Sequence, residues 1–350
     1  MRSRPVHSIP AGQTNTVLVS QNEGMRAAVA ISQDPSNPLA GLVVQDMPEP
    51  QAVPGWVKVK VVASSLNPHD LWTLKGVGHP AERIPMILGC DAAGYLEDGT
   101  PVIVHPVFGD AQRGHGDITM DPQRALLSEV HNGGFAEWVL VPETHVVPKP
   151  DYFSFEEAAV LPIAWGTAYR MLFTRAGLKP GDKVLVQGAT GGVASSAISL
   201  AKAAGATVYA TTRDEANFDF AKKAGADEVF LTGARLPERV DIVVETIGEA
   251  TWSHSLKALR PGGTVVICGA TSGPNASADL NRVFYQQLSV IGSTGCTVDE
   301  FTHLLAFMQS EGLRPTITDT VGLENIHEGF QKLLAGKQLG KIAVRVSEEN

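Results

Sequence analysis

The chain has 350 residues, 43% of them hydrophobic and 19% charged, with 28 basic against 37 acidic side chains and a net charge of -9. That balance excludes an intrinsically disordered chain and speaks against a nucleic-acid partner, and the length suits two domains. No apolar run reaches the roughly 18 residues of a membrane span, and Cys90, Cys268 and Cys296 lie too far apart for a disulfide framework, so a cytoplasmic protein without a membrane partner is expected.

Residues 1–24 lack the apolar stretch of a secretory signal and read as a disordered leader or extension. Met25 opens the first strand. Trp56–Val62 alternates and then turns fully apolar, and Pro101–Val104 follows the turn Asp98-Gly99, so the first part reads as a barrel-like β domain. Ser154 with Glu157 predicts a capping box, and a helix is expected from Gly166 to Thr174. Beyond Lys179-Pro180-Gly181-Asp182, strand and helix alternate. Strands are read at Val184–Val186, Thr207–Ala210, Glu228–Leu231, Asp241–Glu245, Thr264–Cys268 and Leu288–Ile291. Apolar strands separated by helices imply a parallel sheet covered on both faces. Lys341–Val346 reads as a closing strand that rejoins the first domain.

The strongest local signal is the run from Val184 to Ala194, a strand entering a glycine-rich turn and then a helix. Such a turn offers free backbone N–H groups and a helix N-terminus to a pyrophosphate. The turn comprises Gly188, Ala189, Thr190, Gly191, Gly192 and Val193, and Ala189 and Ala194 stand where the dinucleotide fingerprint has its first and last glycines. The next strand ends in Thr211-Thr212-Arg213. Hydroxyls and a guanidinium, in place of an acid, suit a 2′-phosphate, so NADP is expected over NAD.

Further landmarks run along the chain: Ser65-Leu66-Asn67-Pro68-His69-Asp70, Leu88–Gly94, Gly133–Glu137, Gly166-Thr167-Ala168-Tyr169, Gly225-Ala226-Asp227 and Gly340-Lys341-Ile342. In order and spacing the chain resembles the medium-chain dehydrogenase/reductase superfamily, in its zinc-free, quinone-oxidoreductase-like branch. The Gly191-Gly192-Val193-Ala194 variant is similar to a subgroup labelled alcohol dehydrogenase. The resemblance implies an α/β protein with a GroES-like β-barrel catalytic domain (25–150 and 315–350) and a Rossmann doubly wound parallel-sheet domain (151–314). It also implies a homodimer paired through the strand at Leu288–Ile291.

By the same resemblance, the catalytic zinc ligands of the zinc-dependent branch match Asn67, Cys90 and, less securely aligned, Ile163, and the region 105–132 lacks the cysteines of a structural zinc. No metal is expected. The nicotinamide is expected near Thr167, Gly269, Ala270, Ser293 and Gly295, and the adenosine half near Thr246, Thr212 and Arg213. Asn217 replaces the family's phosphate-binding lysine, and Lys341 joins the cofactor set. Asn67 and Asp70 match an Asn-x-x-Asp pair beside the nicotinamide ribose, although Asp70 equally suits capping the helix that follows. His69 is a candidate proton donor and Trp165 a candidate pocket wall. His105, His115 and His131 fall on loops. The polar insert Phe108–Val130 reads as a lid or a mobile loop. The expected function is NADPH-dependent, zinc-independent hydride transfer to a quinone or an α,β-unsaturated carbonyl. A zinc-free alcohol dehydrogenase or carbonyl reductase, and a non-catalytic NADPH-binding protein, are the alternatives.

Overall fold

The computed structural model describes residues 24–349, so the expected leader lies outside the described residues except for Gly24, which opens a strand. Strands β1 (Gly24–Ala30) and β2 (Leu42–Pro48) pair antiparallel, and β3 (Trp56–Ser65) runs from its alternating start into a fully buried end. Helix α1 (Pro68–Lys75) follows and stops at Gly76, which takes the left-handed conformation common at helix ends. Strand β4 (Met86–Ile87) returns to β1, and β5 (Ala92–Leu96) and β6 (Pro101–Val104) continue from β3 as an antiparallel ladder. Strands β7 (Val107–Phe108) and β8 (Ala125–Leu126) bracket most of the insert and pair with each other. Strand β9 (Trp138–Pro142) adds to β3 and β10 (Val146–Pro148) adds to β6.

Helix α2 (Phe155–Ala159) starts with the predicted capping box: the Glu157 N–H donates to Ser154 Oγ at 3.1 Å, and the Ser154 N–H donates back to Glu157 Oε2 at 3.0 Å. The single helix expected from Gly166 to Thr174 is α3 (Ala164–Tyr169) followed by a wider π turn over Arg170–Arg175. The Ala176 N–H there reaches the Met171 carbonyl, five residues back.

Six parallel strands follow: β11 (Lys183–Val186), β12 (Thr207–Thr212), β13 (Glu228–Leu231), β14 (Val240–Glu245), β15 (Leu259–Ile267) and β16 (Ser289–Gly292). Their spatial order is β13-β12-β11-β14-β15-β16, the doubly wound arrangement. The alternation within these strands shows why they are apolar throughout. Val184, Val186, Val208, Ala210, Ile242 and Val244 face one core, while Leu185, Tyr209 and Val243 face another on the opposite side. Helices α4 (Gly192–Ala203), α5 (Phe218–Lys223), α6 (Glu249–Ala258) and α7 (Leu280–Tyr285) connect the strands. No helix joins β13 to β14, as the short Leu-Thr-Gly-Ala-Arg-Leu-Pro-Glu-Arg stretch implies.

Helix α8 (Val298–Ser310) leads to β17 (Ile317–Gly322), α9 (Ile326–Leu334) and β18 (Lys341–Arg345). Strand β18 pairs with β17 and, antiparallel, with β3, so the end of the chain stitches into the N-terminal sheet.

The insert has its own buried centre. Asp121, 0% exposed, accepts from the backbone of Asp110 (2.7 Å) and Gln123 (2.9 Å) and from Arg113 Nη2 (2.6 Å). Arg170, 2% exposed, joins the insert to α8 by donating to Asp117 Oδ2 (2.5 Å) and Glu300 Oε2 (2.8 Å).

Candidate functional site

In a doubly wound sheet, ligands settle beyond the carboxyl ends of the strands where the strand order reverses. That place lies between β11 and β14. After β11, Gly188 turns with φ of +69°, and a Cβ on it would stand 2.6 Å from Ile247 Cδ1. Gly191 precedes the first turn of α4, and the space beside its Cα is open, the nearest atom to an added Cβ being Gly188 O at 3.7 Å. The two fingerprint alanines are explained by packing: Ala189 and Ala194, at 0% and 1% exposure, turn their methyl groups into the core and leave the cradle clear. The turn also has a polar floor that sequence reasoning missed. Buried Gln187 accepts from Thr211 Oγ1 (2.5 Å) and donates to Ser255 Oγ (3.0 Å) and His254 Nδ1 (2.9 Å). Ser255 in turn donates to the buried Glu245 carboxylate at 2.5 Å.

Other expected cofactor residues gather on the same rim. Thr212 ends β12 and Arg213 follows it, the Thr212 hydroxyl accepts from Asn217 Nδ2 at 3.3 Å, and Arg213 is exposed. Thr246 follows β14, Gly269 and Ala270 follow β15, and Ser293 and Gly295 follow β16. Buried Thr167 lies on α3. The Ser293 hydroxyl is buried without a protein partner among the described residues.

Against this rim stands a fully buried carboxylate, Asp91. Its Oδ2 accepts from Ser65 Oγ (2.6 Å) and Asn67 Nδ2 (2.7 Å), and its Oδ1 accepts from the Ile163 backbone N–H (2.9 Å). Lys341, 5% exposed, donates to Asn67 Oδ1 at 2.6 Å and Leu66 O at 3.0 Å, with Asp91 Oδ2 at 3.5 Å. Lys341 therefore sits in the expected neighbourhood with its ammonium turned to Asn67. Asn67 Nδ2 also donates to Ser65 O at 3.2 Å, so both its N–H groups are engaged.

The remaining candidates divide. Asp70 takes the capping alternative. Its carboxylate accepts from the backbone N–H of Asn67 (2.9 Å), at the head of α1, and of Gly89 (3.0 Å), and burial pushes its acid up to about 7. Trp165 packs into the core at 3% exposure instead of walling an open pocket. His69 is largely buried, with Nε2 3.6 Å from Glu129 Oε1; burial holds its imidazole below the usual range, with His79 acting the same way and Glu129 opposing. Glu129, at the end of the insert, carried no sequence signal. His105 is a core residue whose Nε2–H donates to Cys296 O at 3.0 Å, and burial lowers it to about 3. His115 is exposed, and His131 packs its ring edge-on to Trp56 at 4.9 Å.

The donor set does not fit a catalytic zinc. Of the three matched positions, Ile163 has no side-chain donor and the Asn67 oxygen is taken by an ammonium, which leaves the single Cys90 thiol where zinc needs three or four ligands. No group of three or more His, Cys, Asp or Glu suited to a metal occurs among the described residues. The turn, by contrast, fits a dinucleotide diphosphate. No helix among the described residues is long and apolar enough to cross a membrane.

Comparison with known proteins agrees with the fold. Residues 53–151 match the alcohol dehydrogenase GroES-like domain and residues 192–310 the zinc-binding dehydrogenase family. The chain is 30% identical to the acryloyl-coenzyme A reductase of Sulfurisphaera tokodaii, over 88% of this chain and 97% of that one. A solved NAD-dependent alcohol dehydrogenase superposes with a TM-score of 0.85 at 33% identity, covering 92% of this chain and 100% of the other. A 2-octenoyl-CoA carboxylase reductase, solved with NADP and 2-octenoyl-CoA, superposes with a TM-score of 0.83 at 26% identity, covering 93% and 89%.

Proposed function

The chain belongs to the medium-chain dehydrogenase/reductase superfamily of oxidoreductases, and from that premise we propose that it reduces an α,β-unsaturated carbonyl compound with NADPH and without zinc. The observation that carries the reading is the juxtaposition of an open dinucleotide turn with a junction whose cation is an ammonium, Lys341. Relatives named for acryloyl- and octenoyl-thioester reduction support an enoyl substrate; a quinone shares its chemistry, since both spread the incoming charge over a conjugated oxygen.

In this reading the turn at Gly188–Val193 holds the diphosphate, and Thr212 and Arg213 favour the 2′-phosphate. Bound NADPH supplies the hydride. The Asn67 amide gives up its 3.2 Å bond to Ser65 O and donates to the developing enolate oxygen. His69, which Glu129 helps to charge against its burial, delivers the proton to the reduced product. Exposed Val290 on the sheet-edge strand β16, with Phe284 and Tyr285 on α7, supports a homodimer, and a cytoplasmic location completes the proposal.

The test is NADPH consumption with a panel of enoyl thioesters, enones and quinones, alongside elemental analysis. No consumption with any member overturns the activity, and stoichiometric zinc overturns the metal-free mechanism. The His69–Glu129 pair also suits zinc-free carbonyl reduction, which alcohol-dependent reduction of NADP would reveal.

A further inference from the structure

We propose that Lys341 and Asp91 form a positioning pair that sets the Asn67 amide for the substrate oxygen and couples it to the dinucleotide turn, Lys341 itself not being a diphosphate ligand. The inference rests on the reading of Asn67 given above.

An ammonium has three N–H donors, and Lys341 meets three acceptors: Leu66 O (3.0 Å), Asn67 Oδ1 (2.6 Å) and Asp91 Oδ2 (3.5 Å). None of these acceptors lies on the turn. What touches the turn is the aliphatic stem. A Cβ added at Gly192, the first residue of α4, would stand 2.9 Å from Lys341 Cδ. One residue earlier, the Gly340 N–H donates to Thr190 O, also on the turn, at 2.9 Å. The same short segment therefore grips the turn with its backbone and stem and presents its charge to Asn67.

The charge has two consequences for that amide. With Lys341 on Oδ1 and Asp91 on Nδ2, a flipped Asn67 would set its NH2 against an ammonium and its oxygen against a carboxylate, so only one orientation is allowed. Positive charge on Oδ1 also draws electron density from the amide and makes its N–H groups stronger donors. Asp91 holds one of those hydrogens at 2.7 Å; the other rests on Ser65 O at 3.2 Å, the longer bond and the one an enolate oxygen displaces. Asp91 is anchored in turn by Ser65 and by the Ile163 backbone, so the pair joins β3, β5's approach, α3's approach and β18 at one point.

The test uses Lys341→Met, which keeps the stem over Gly192 and deletes the charge. Calorimetry with NADP should show a Kd within about threefold of wild type, while kcat falls about 100-fold with KM little changed, the loss typical of a missing oxyanion donor. Asp91→Asn should lower kcat in the same direction, and the double variant should be no slower than the worse single one. Dinucleotide binding weakened about tenfold or more with kcat intact would make Lys341 a phosphate ligand and overturn the proposal. A readout independent of turnover and of variant folding is the ammonium signal of Lys341 in wild-type protein with nitrogen-15-labelled lysine. It should be protected from solvent exchange and shift on addition of NADP; exchange as fast as that of surface lysines overturns the proposal. If wild type reduces no substrate, the functional reading fails on its own, and calorimetry with the lysine signal still decides where the ammonium points.

Discussion

The dinucleotide turn and the Asp91 junction meet through the Gly340–Lys341 segment but are built from opposite materials. The turn works through backbone and through missing atoms: Gly188 at positive φ, open space beside Gly191, and methyl groups of Ala189 and Ala194 turned inward. The junction works through charged and amide side chains with almost no exposure to share their field with water. Substitutions should therefore injure the two differently, the turn by shape and the junction by charge.

The largest effect is expected at the junction. Asp91→Ala strands a buried ammonium together with donors on Ser65, Asn67 and Ile163, and unfolding in urea should show a loss of about 3–5 kcal/mol. A loss no larger than that of a surface substitution would dissolve the contrast. At the turn, Gly188→Ala forces a side chain into the left-handed region and against Ile247. The expected cost is about 1–3 kcal/mol, together with weaker NADP binding by calorimetry, while the protected Lys341 signal stays in place. If that signal collapses as well, the two regions are one unit.

Asp70 sharpens the comparison through pH. Its folded acid is raised to about 7, above the ordinary carboxylate value of 3.8, so the native state holds its proton where the unfolded chain has released it. The resulting stability is present in full below about pH 4 and is lost as pH rises through 7. Asp70→Asn should remove that decline from a series of denaturation curves between pH 5 and 8, at some general cost from the disturbed acceptors of the Asn67 and Gly89 N–H groups. The smallest structural effect belongs to Arg213→Glu. The side chain is exposed, so the melting temperature should hold while preference shifts about tenfold from NADPH toward NADH, read as a ratio of kcat/KM values.

The same contrast explains what could be read without coordinates. The turn is local: glycines, a strand before and a helix after lie within a dozen residues, and the parallel sheet announces itself by strands apolar on both faces. The junction is assembled from Ser65, Asn67, Asp91, Ile163 and Lys341, which lie in separate stretches of the chain, so no local run shows that they meet. Asp91 stands beside Cys90 within the Leu88–Gly94 landmark, and nothing in that run separates the packing thiol from the acid that organises the junction. The resemblance places Lys341 with the cofactor, and only the direction of its side chain separates that role from a positioning one. Asp70 could be read either as a cap or as a catalytic acid, because the spacing Asn-x-x-Asp serves both.

Arg170 has a mechanical consequence of its own. One guanidinium, almost wholly shielded from water, fastens the insert through Asp117 and α8 through Glu300. Dissolved ions weaken exposed pairs far more than shielded ones. Concentrated salt should thus slacken exposed contacts such as Arg26 with Glu324 while this rivet stays closed, and the insert should move with α8 as a single body.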